Sequence, residues 1–200
     1  MGDAMKESLR YVVILTLITS LSGLLLGVTE RCTREPIEKQ QAGQQLAALR
    51  AVLPPVDNAP DEDSVTLADG SARRTVYYRG RRQGRIVGVA FRVTSDKGYA
   101  GPIAIMIGVA PDGTLTGLEI LQQNETPGLG NRIVASEFRD LFVGKGLNGY
   151  RWRVRKDGGD FDQISGATIS SRAVVEGVAE GLERFRRHAG VILADSGERP

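Results

Sequence analysis

A chain of 200 residues that is 41% hydrophobic and 25% charged has enough apolar material for a sizeable core, and its net charge of +2 rests on mixed acidic and basic residues, which leaves no domain-wide basic face for nucleic acid. A single cysteine, Cys32, excludes an internal disulfide framework and a thiolate metal cluster; a single histidine, His188, leaves zinc sites without ligands and Ser/His/Asp catalysis without a placed base. No GxGxxG follows a first strand and no GxxxxGK[ST] occurs, so the standard dinucleotide and nucleoside-triphosphate cradles are missing.

After a short arm, residues 1–10, the stretch 11–28, "YVVILTLITSLSGLLLGV", holds 18 uncharged residues. As a helix it would span roughly 27 Å, close to a hydrocarbon core. A cleaved secretory signal is the rival reading, but the following "TERCTREP" offers no small-x-small cleavage site, so a retained transmembrane anchor is expected. Lys6 and Arg10 on one side and Arg31, Arg34 and Lys39 on the other do not fix its orientation. A stalk helix is predicted over 29–54, with Glu35-Pro36 as a favourable start, Ile37, Leu46, Leu49, Val52 and Leu53 marking its apolar positions, and Pro54-Pro55 ending it. Residues 55–72, rich in Asp, Pro, Ser and Gly, read as a loop.

From Thr75 the period changes to that of strands: "TVYYR", a turn over residues 80–84, "RIVGVAFRV", "IAIMIGV", and "TLTGLEILQ" across the "PDG" turn. Two antiparallel hairpins are predicted. The six arginines between Arg73 and Arg85 read as a solvated hairpin after an acidic loop rather than as a nucleic-acid patch. Asn131 is a candidate cap for a short helix burying Ile133, Val134, Phe138, Leu141 and Phe142, and "RWRVR" at 151–155 alternates like a last strand. In the final helix Val174, Val175, Val178, Leu182 and Phe185 share one face, Glu180 with Arg184 and Glu183 with Arg187 form i,i+4 pairs, and Gly190 is a plausible stop. Residues 193–200 read as a flexible tail. The expected fold is α+β, antiparallel sheets with flanking helices, on a single N-terminal transmembrane helix.

Three loops carry glycines and hydroxyls at element boundaries: "GYAGPI" (98–103), "ETPGLG" (125–130) and "DQISGATISS" (162–171). Glycines let backbone approach a flat ligand closely. The small polar Ser165-Gly166-Ala167-Thr168 falls at a helix N-terminus, where unpaired N–H groups and the dipole favour an anion. Taken singly, a glycine turn, an ordinary helix start and a hydroxyl N-cap would explain them.

Together, in this order and spacing, "GYAGPI", "ETPGLG" and "SGATISSRAV" resemble the FMN-binding domain family shared by the G subunit of the Rnf electron-transport complex and the C subunit of the sodium-pumping NADH:quinone reductase. The short span between anchor and domain is more similar to the former. The resemblance implies an FMN-binding domain over 55–192, with FMN joined through its phosphate to the Thr168 hydroxyl. It implies a separate FAD-dependent, ApbE-like flavin transferase that reads Asp162, Ser165, Gly166 and Ala167. The "ETPGLG" loop would lie against the isoalloxazine ring through Glu125, Thr126, Gly128 and Leu129. Lys156 is a further candidate, as a charge partner of phosphate or reduced flavin, against the alternative of a solvated lysine. The implied protein is an electron carrier in a ferredoxin/NAD-linked, ion-translocating complex of the bacterial inner membrane, working with the other Rnf subunits. Its domain would be periplasmic, its N-terminus cytoplasmic, and no side chain of its own need act as acid or base. The sodium-pump C subunit, and a membrane-tethered binding or sensory module without redox work, remain alternatives.

Overall fold

The structure, a computed structural model, describes residues 2–68 and 74–194. Arg73 and all but two residues of the predicted tail lie outside them. By internal contacts the chain divides into two units, Met1–Gln44 and Gln45–Pro200.

Anchor and stalk, predicted as separate, are one helix, α1 (Gly2–Val52). Pro36 removes one N–H from the ladder, and the Gln-, Ala- and Leu-rich stretch beyond it sustains the helix on its far side. Within α1, Leu9–Arg34 is long and apolar enough to cross a membrane, and its side chains are exposed. The hydroxyls of Thr16, Thr19, Thr29 and Thr33 donate to carbonyls one turn back at 2.8–2.9 Å. In a bilayer, where water cannot serve them, such bonds satisfy these groups.

The second unit is built on a five-stranded antiparallel meander in chain order: β1 (Ser64–Ala68), β2 (Arg74–Arg82), β3 (Arg85–Ser95), β4 (Ile103–Val109) and β5 (Leu115–Gln122). β1 was expected as loop. It is a short, half-exposed edge strand paired Val65 to Tyr77, held by its backbone partners, by Asp63, and by Leu67, which packs against the core. Asp63 pairs with Arg81 at 2.6 Å and with Arg79 at 3.7 Å. Arg79 is buried, so the arginine-rich hairpin is not wholly solvated. The β2–β3 turn is also tighter than predicted. It is the two residues Gln83 and Gly84, both at positive φ, and Gly80 lies inside β2, facing Val56 and Leu53.

Strand alternation sends Phe91, Val93, Ile105 and Ile107 to one face, under the long C-terminal helix, and Ala90 and Met106 to the other, under Leu49, Val52 and Leu53 at the end of α1. On the second face Gly108 and Gly117 are paired neighbours. A Cβ on Gly108 would stand 2.0 Å from the Val52 carbonyl oxygen, and one on Gly117 2.6 Å from Val52 Cα. Thr116 closes the contact by donating to that same carbonyl at 2.6 Å.

Beyond β5 a 3₁₀ turn (Gly130–Val134) leads into the one-turn helix α2 (Ser136–Arg139). Ile133, Phe138 and Phe142 bury as expected, whereas Val134 is 45% exposed. Asn131 caps nothing; its Oδ1 accepts the Gly128 N–H at 2.8 Å and ties down the preceding loop. "RWRVR" is not a strand. A single bridge, Val154 to Phe161, and a 3₁₀ turn at Arg155–Asp157 replace it. Gly158, at φ 78°, folds the chain back, and the rings of Phe142, Trp152 and Phe161, with centroids 4.6–6.3 Å apart, take the place of a ladder.

The last helix, α3 (Thr168–Ile192), buries the predicted apolar face. It passes Gly190, because Ile192 is itself buried and anchors one more turn. Its charges look across to the sheet rather than only along the helix. Glu176 and Glu180 receive Lys97 Nζ at 2.8 and 3.5 Å, and the hydrogen bond to Glu176 raises the lysine's pKa. Arg184 reaches Thr75 Oγ1 at 3.4 Å.

Candidate functional site

The three glycine-bearing loops, far apart in sequence, meet at one buried carboxylate. Glu125 is 4% exposed. Its Oε1 accepts the Ala100 N–H at 3.1 Å, its Oε2 accepts the Ser170 hydroxyl, and its own N–H donates to Gln123 Oε1 at 2.6 Å. Glycines make room for it. A Cβ on Gly98 would lie 2.8 Å from Glu125 Oε1, and one on Gly130 would lie 2.8 Å from Oε2 and 2.6 Å from Ser170 Oγ. The inward carboxylate differs from the expected ring contact. Thr126, Gly128 and Leu129 are instead the exposed side of that loop.

The loop before α3 is fixed from within. Ser171, wholly buried, accepts the Ile164 N–H at 3.1 Å and donates to the Ala167 carbonyl at 3.0 Å, while the Ala167 N–H reaches the Ile164 carbonyl at 3.0 Å. Gly166, at φ 80°, completes the turn, close enough to Leu129 that a Cβ would come within 3.2 Å of its side chain. Ser165 and Gly166 are exposed, Ala167 is buried, and Thr168 is half-buried as the first residue of α3.

A helix of 25 residues thus starts without a side-chain cap. The N-cap residue is Ala167, no acidic residue lies in the first turn, and among the described residues the Thr168 hydroxyl has no hydrogen-bond partner. The hydroxyl N-cap that would have explained the motif without a ligand is not formed. Backbone N–H groups of the first turn, the positive end of the helix dipole and an accessible hydroxyl therefore coincide, an arrangement suited to a phosphate.

Next to Ser165 opens a groove of about 530 Å³ lined by Ala135, Phe138, Leu141 and Ile164 together with the polar Arg132, Glu137, Asp162 and Gln163; Thr126, Gly128 and Leu129 do not border it. A second groove, of about 350 Å³, lies between the "PDG" turn and the C-terminal half of α3 and contains none of the predicted site residues. Lys156 is exposed in the 3₁₀ turn beside the site, its N–H donating to Gln163 Oε1 at 3.3 Å. That turn is fastened to α3 by Asp157, which takes both arms of the Arg172 guanidinium at 2.6 and 3.0 Å.

The sequence shows the three loops, with Ser170 and Ser171 inside the third as alternative attachment hydroxyls, but not the buried structural roles of these serines or the pairing of Asp157 with Arg172. The signal for the serines was present in the phase of the helix: Ser170, Ser171 and Val174 fall on its buried side.

A family model described as the FMN-binding domain matches residues 98–183, from the first glycine loop through most of α3, and one described as the RnfG N-terminal region matches residues 1–52. The chain is 40% identical over 189 residues to the G subunit of the ion-translocating oxidoreductase complex of Cereibacter sphaeroides (strain ATCC 17029 / ATH 2.4.9), covering 91% of this chain and 86% of that one. To the G subunit of the ion-translocating oxidoreductase complex of Stutzerimonas stutzeri it is 34% identical, covering 99% and 90%. Among solved structures, the fold is similar to that of the C subunit of the Na(+)-translocating NADH-quinone reductase from Parabacteroides distasonis, with TM-score 0.57, 21% identity and 76% and 92% coverage. It is also similar to that of Shewanella oneidensis NqrC, with TM-score 0.52, 23% identity and 74% coverage of each chain.

Proposed function

The chain belongs to the family of G subunits of ion-translocating oxidoreductase complexes, and from that premise we propose that it is a membrane-anchored, covalently flavinylated electron carrier within such a complex. One observation carries the reading. The Thr168 hydroxyl stands unpartnered at the uncapped start of α3, where the three family loops converge.

The residues fit FMN. First-turn N–H groups would hold the phosphate, and Thr168 Oγ1 would be its covalent link, with Ser165, Gly166 and Ala167 setting the approach. Thr126, Gly128 and Leu129 line the exposed side of the neighbouring loop, where a ring would rest, and the exposed Lys156 offers a positive charge beside the α3 start. Attachment forms one bond between Thr168 Oγ1 and the FMN phosphorus of FAD and breaks the pyrophosphate bond, releasing AMP as the hydroxyl loses its proton. A separate ApbE-like transferase, which recognises the loop from Asp162 to Thr168, would perform the step. When bound, FMN supplies the redox chemistry, and the protein contributes attachment, orientation and surroundings. Leu9–Arg34 would hold the protein in the bacterial inner membrane beside its partner proteins, with the second unit on the periplasmic side. Electrons would pass between ferredoxin and NAD through the complex as ions cross.

Thr168→Ala, made with the transferase and FAD present, should give a folded protein with no fluorescent band on a denaturing gel, while wild type fluoresces. The side chain makes no cap, so its loss leaves the fold intact. A fluorescent variant would move the attachment elsewhere. A dark wild type, with the transferase active on another substrate, would favour a tethered module without redox work.

A further inference from the structure

Resting on the flavin reading above, we propose that Glu125 is a positioning residue, the hub that holds the loop at 98–101 and the loop at 125–130 against the first turn of α3. Its two oxygens serve two different elements. Oε1 takes the Ala100 N–H at 3.1 Å, and Oε2 takes the hydroxyl of Ser170, two residues beyond Thr168 in α3. An ionised carboxylate is acceptor-only, and a buried one must be supplied with donors. Here each oxygen has one. A Cβ on Gly130 would press on this carboxylate and on Ser170 Oγ, and one on Gly98 would meet the Gly101 carbonyl oxygen at 2.2 Å before Glu125 Oε1 at 2.8 Å, so both positions leave the carboxylate its room.

The hub works through reach, because the side chain must span from the base of its own loop to Ala100 on one side and Ser170 on the other. Glutamine has that reach. Its oxygen can accept from Ala100 while its amide donates to the Ser170 hydroxyl, so both links survive without charge. Aspartate has the charge but is one methylene short and can satisfy only one side. The proposal therefore ranks the variants in an order that burial or charge alone would not give.

Two readouts on the full chain in detergent test it. The first uses protein made without the transferase, so no cofactor is involved: hydrogen exchange at the Ala100 amide. Glu125→Ala should speed that exchange about tenfold, as expected for losing one hydrogen bond to a charged group, Glu125→Asp should either speed it likewise or keep it and slow flavin addition as loss of the Ser170 link does, and Glu125→Gln should stay near wild type. The second is the rate at which the transferase adds flavin, which should fall in the same order. Ser170→Ala, which only removes a hydroxyl, covers the case in which Glu125→Ala fails to fold. It should slow flavin addition while Ala100 stays protected. Unchanged Ala100 protection in folded Glu125→Ala would overturn the proposal, as would an Asp variant like wild type beside a Gln variant like Ala. If wild type takes up no flavin at all, the proposed function fails, and the exchange order still decides the hub.

Discussion

Gly128 and Gly130 stand two residues apart in one loop and are glycine for different reasons. Gly128 has open space around it but sits at φ 77°, whereas Gly130 has no room, with Ser170 Oγ and the Glu125 carboxylate where a Cβ would go. The sequence "ETPGLG" displays both glycines alike, and only the fold separates their roles. The same limit applies to charge. Asp157 and Arg172 lie 15 residues apart in the chain and close on one another at 2.6 Å. The hydrogen bond from Arg172 holds the Asp157 carboxyl below the usual carboxylate range. A depressed carboxylate stabilises the fold above its unfolded pKa of about 3.9, and that contribution is lost as pH falls through the lower folded value. Asp157→Asn should therefore melt slightly below wild type at neutral pH, with the gap closing in acid. Thermal unfolding of both proteins across pH checks it, and a gap that widens toward acid would contradict the pairing.

At the scale of elements, the strands from β2 to β5 and the long helix α3 are legible because each carries a regular apolar pattern: Phe91 and Val93 alternate in β3, β4 is a continuous apolar run buried on both faces, and Val174, Val178 and Leu182 recur at helical spacing. The failures have separate causes. β1 is an edge strand of five residues within a stretch rich in Asp, Pro and Ser, and although Val65 and Leu67 alternate with Ser64 and Thr66, two apolar positions are too few to stand out as a period. "RWRVR" does alternate, but Trp152 and Val154 bury against Phe142 and Phe161 instead of in a sheet. In-strand glycines were equally silent. Gly108 carries no signal in the sequence beyond its place in a strand, and it is where the end of α1 lies on the sheet. Gly108→Ala should cost about 1–3 kcal/mol, the usual range for overpacking, because its Cβ would meet the Val52 carbonyl oxygen, which Thr116 already holds. Urea unfolding would measure it; a variant as stable as wild type would mean that Val52 does not cover this face.

For the whole molecule, the boundary between the two units falls inside a helix, so an anchor can be removed only at the right turn. A chain beginning at Gln45 keeps Leu49, Val52 and Leu53 on the sheet and should fold without detergent. One beginning at Asp57 exposes Ala90 and Met106 and should aggregate or melt far lower; size-exclusion chromatography and thermal unfolding of the two separate these outcomes. In the sequence the candidate site was visible as three motifs and a hydroxyl, but their meeting was not. The links that join them, Glu125 to Ala100 and Glu125 to Ser170, span 25 and 45 residues and leave no local period. The proposed function turns on the oxygen of Thr168 as the carrier of the flavin. Intact mass followed by fragmentation of the peptide spanning Asp162 to Arg172, on wild-type protein made with the transferase, measures it. The expected result is a gain of one FMN less a water, placed by the fragments on Thr168. A gain placed on Ser165, Ser170 or Ser171, or no gain with a transferase shown to be active, would contradict it.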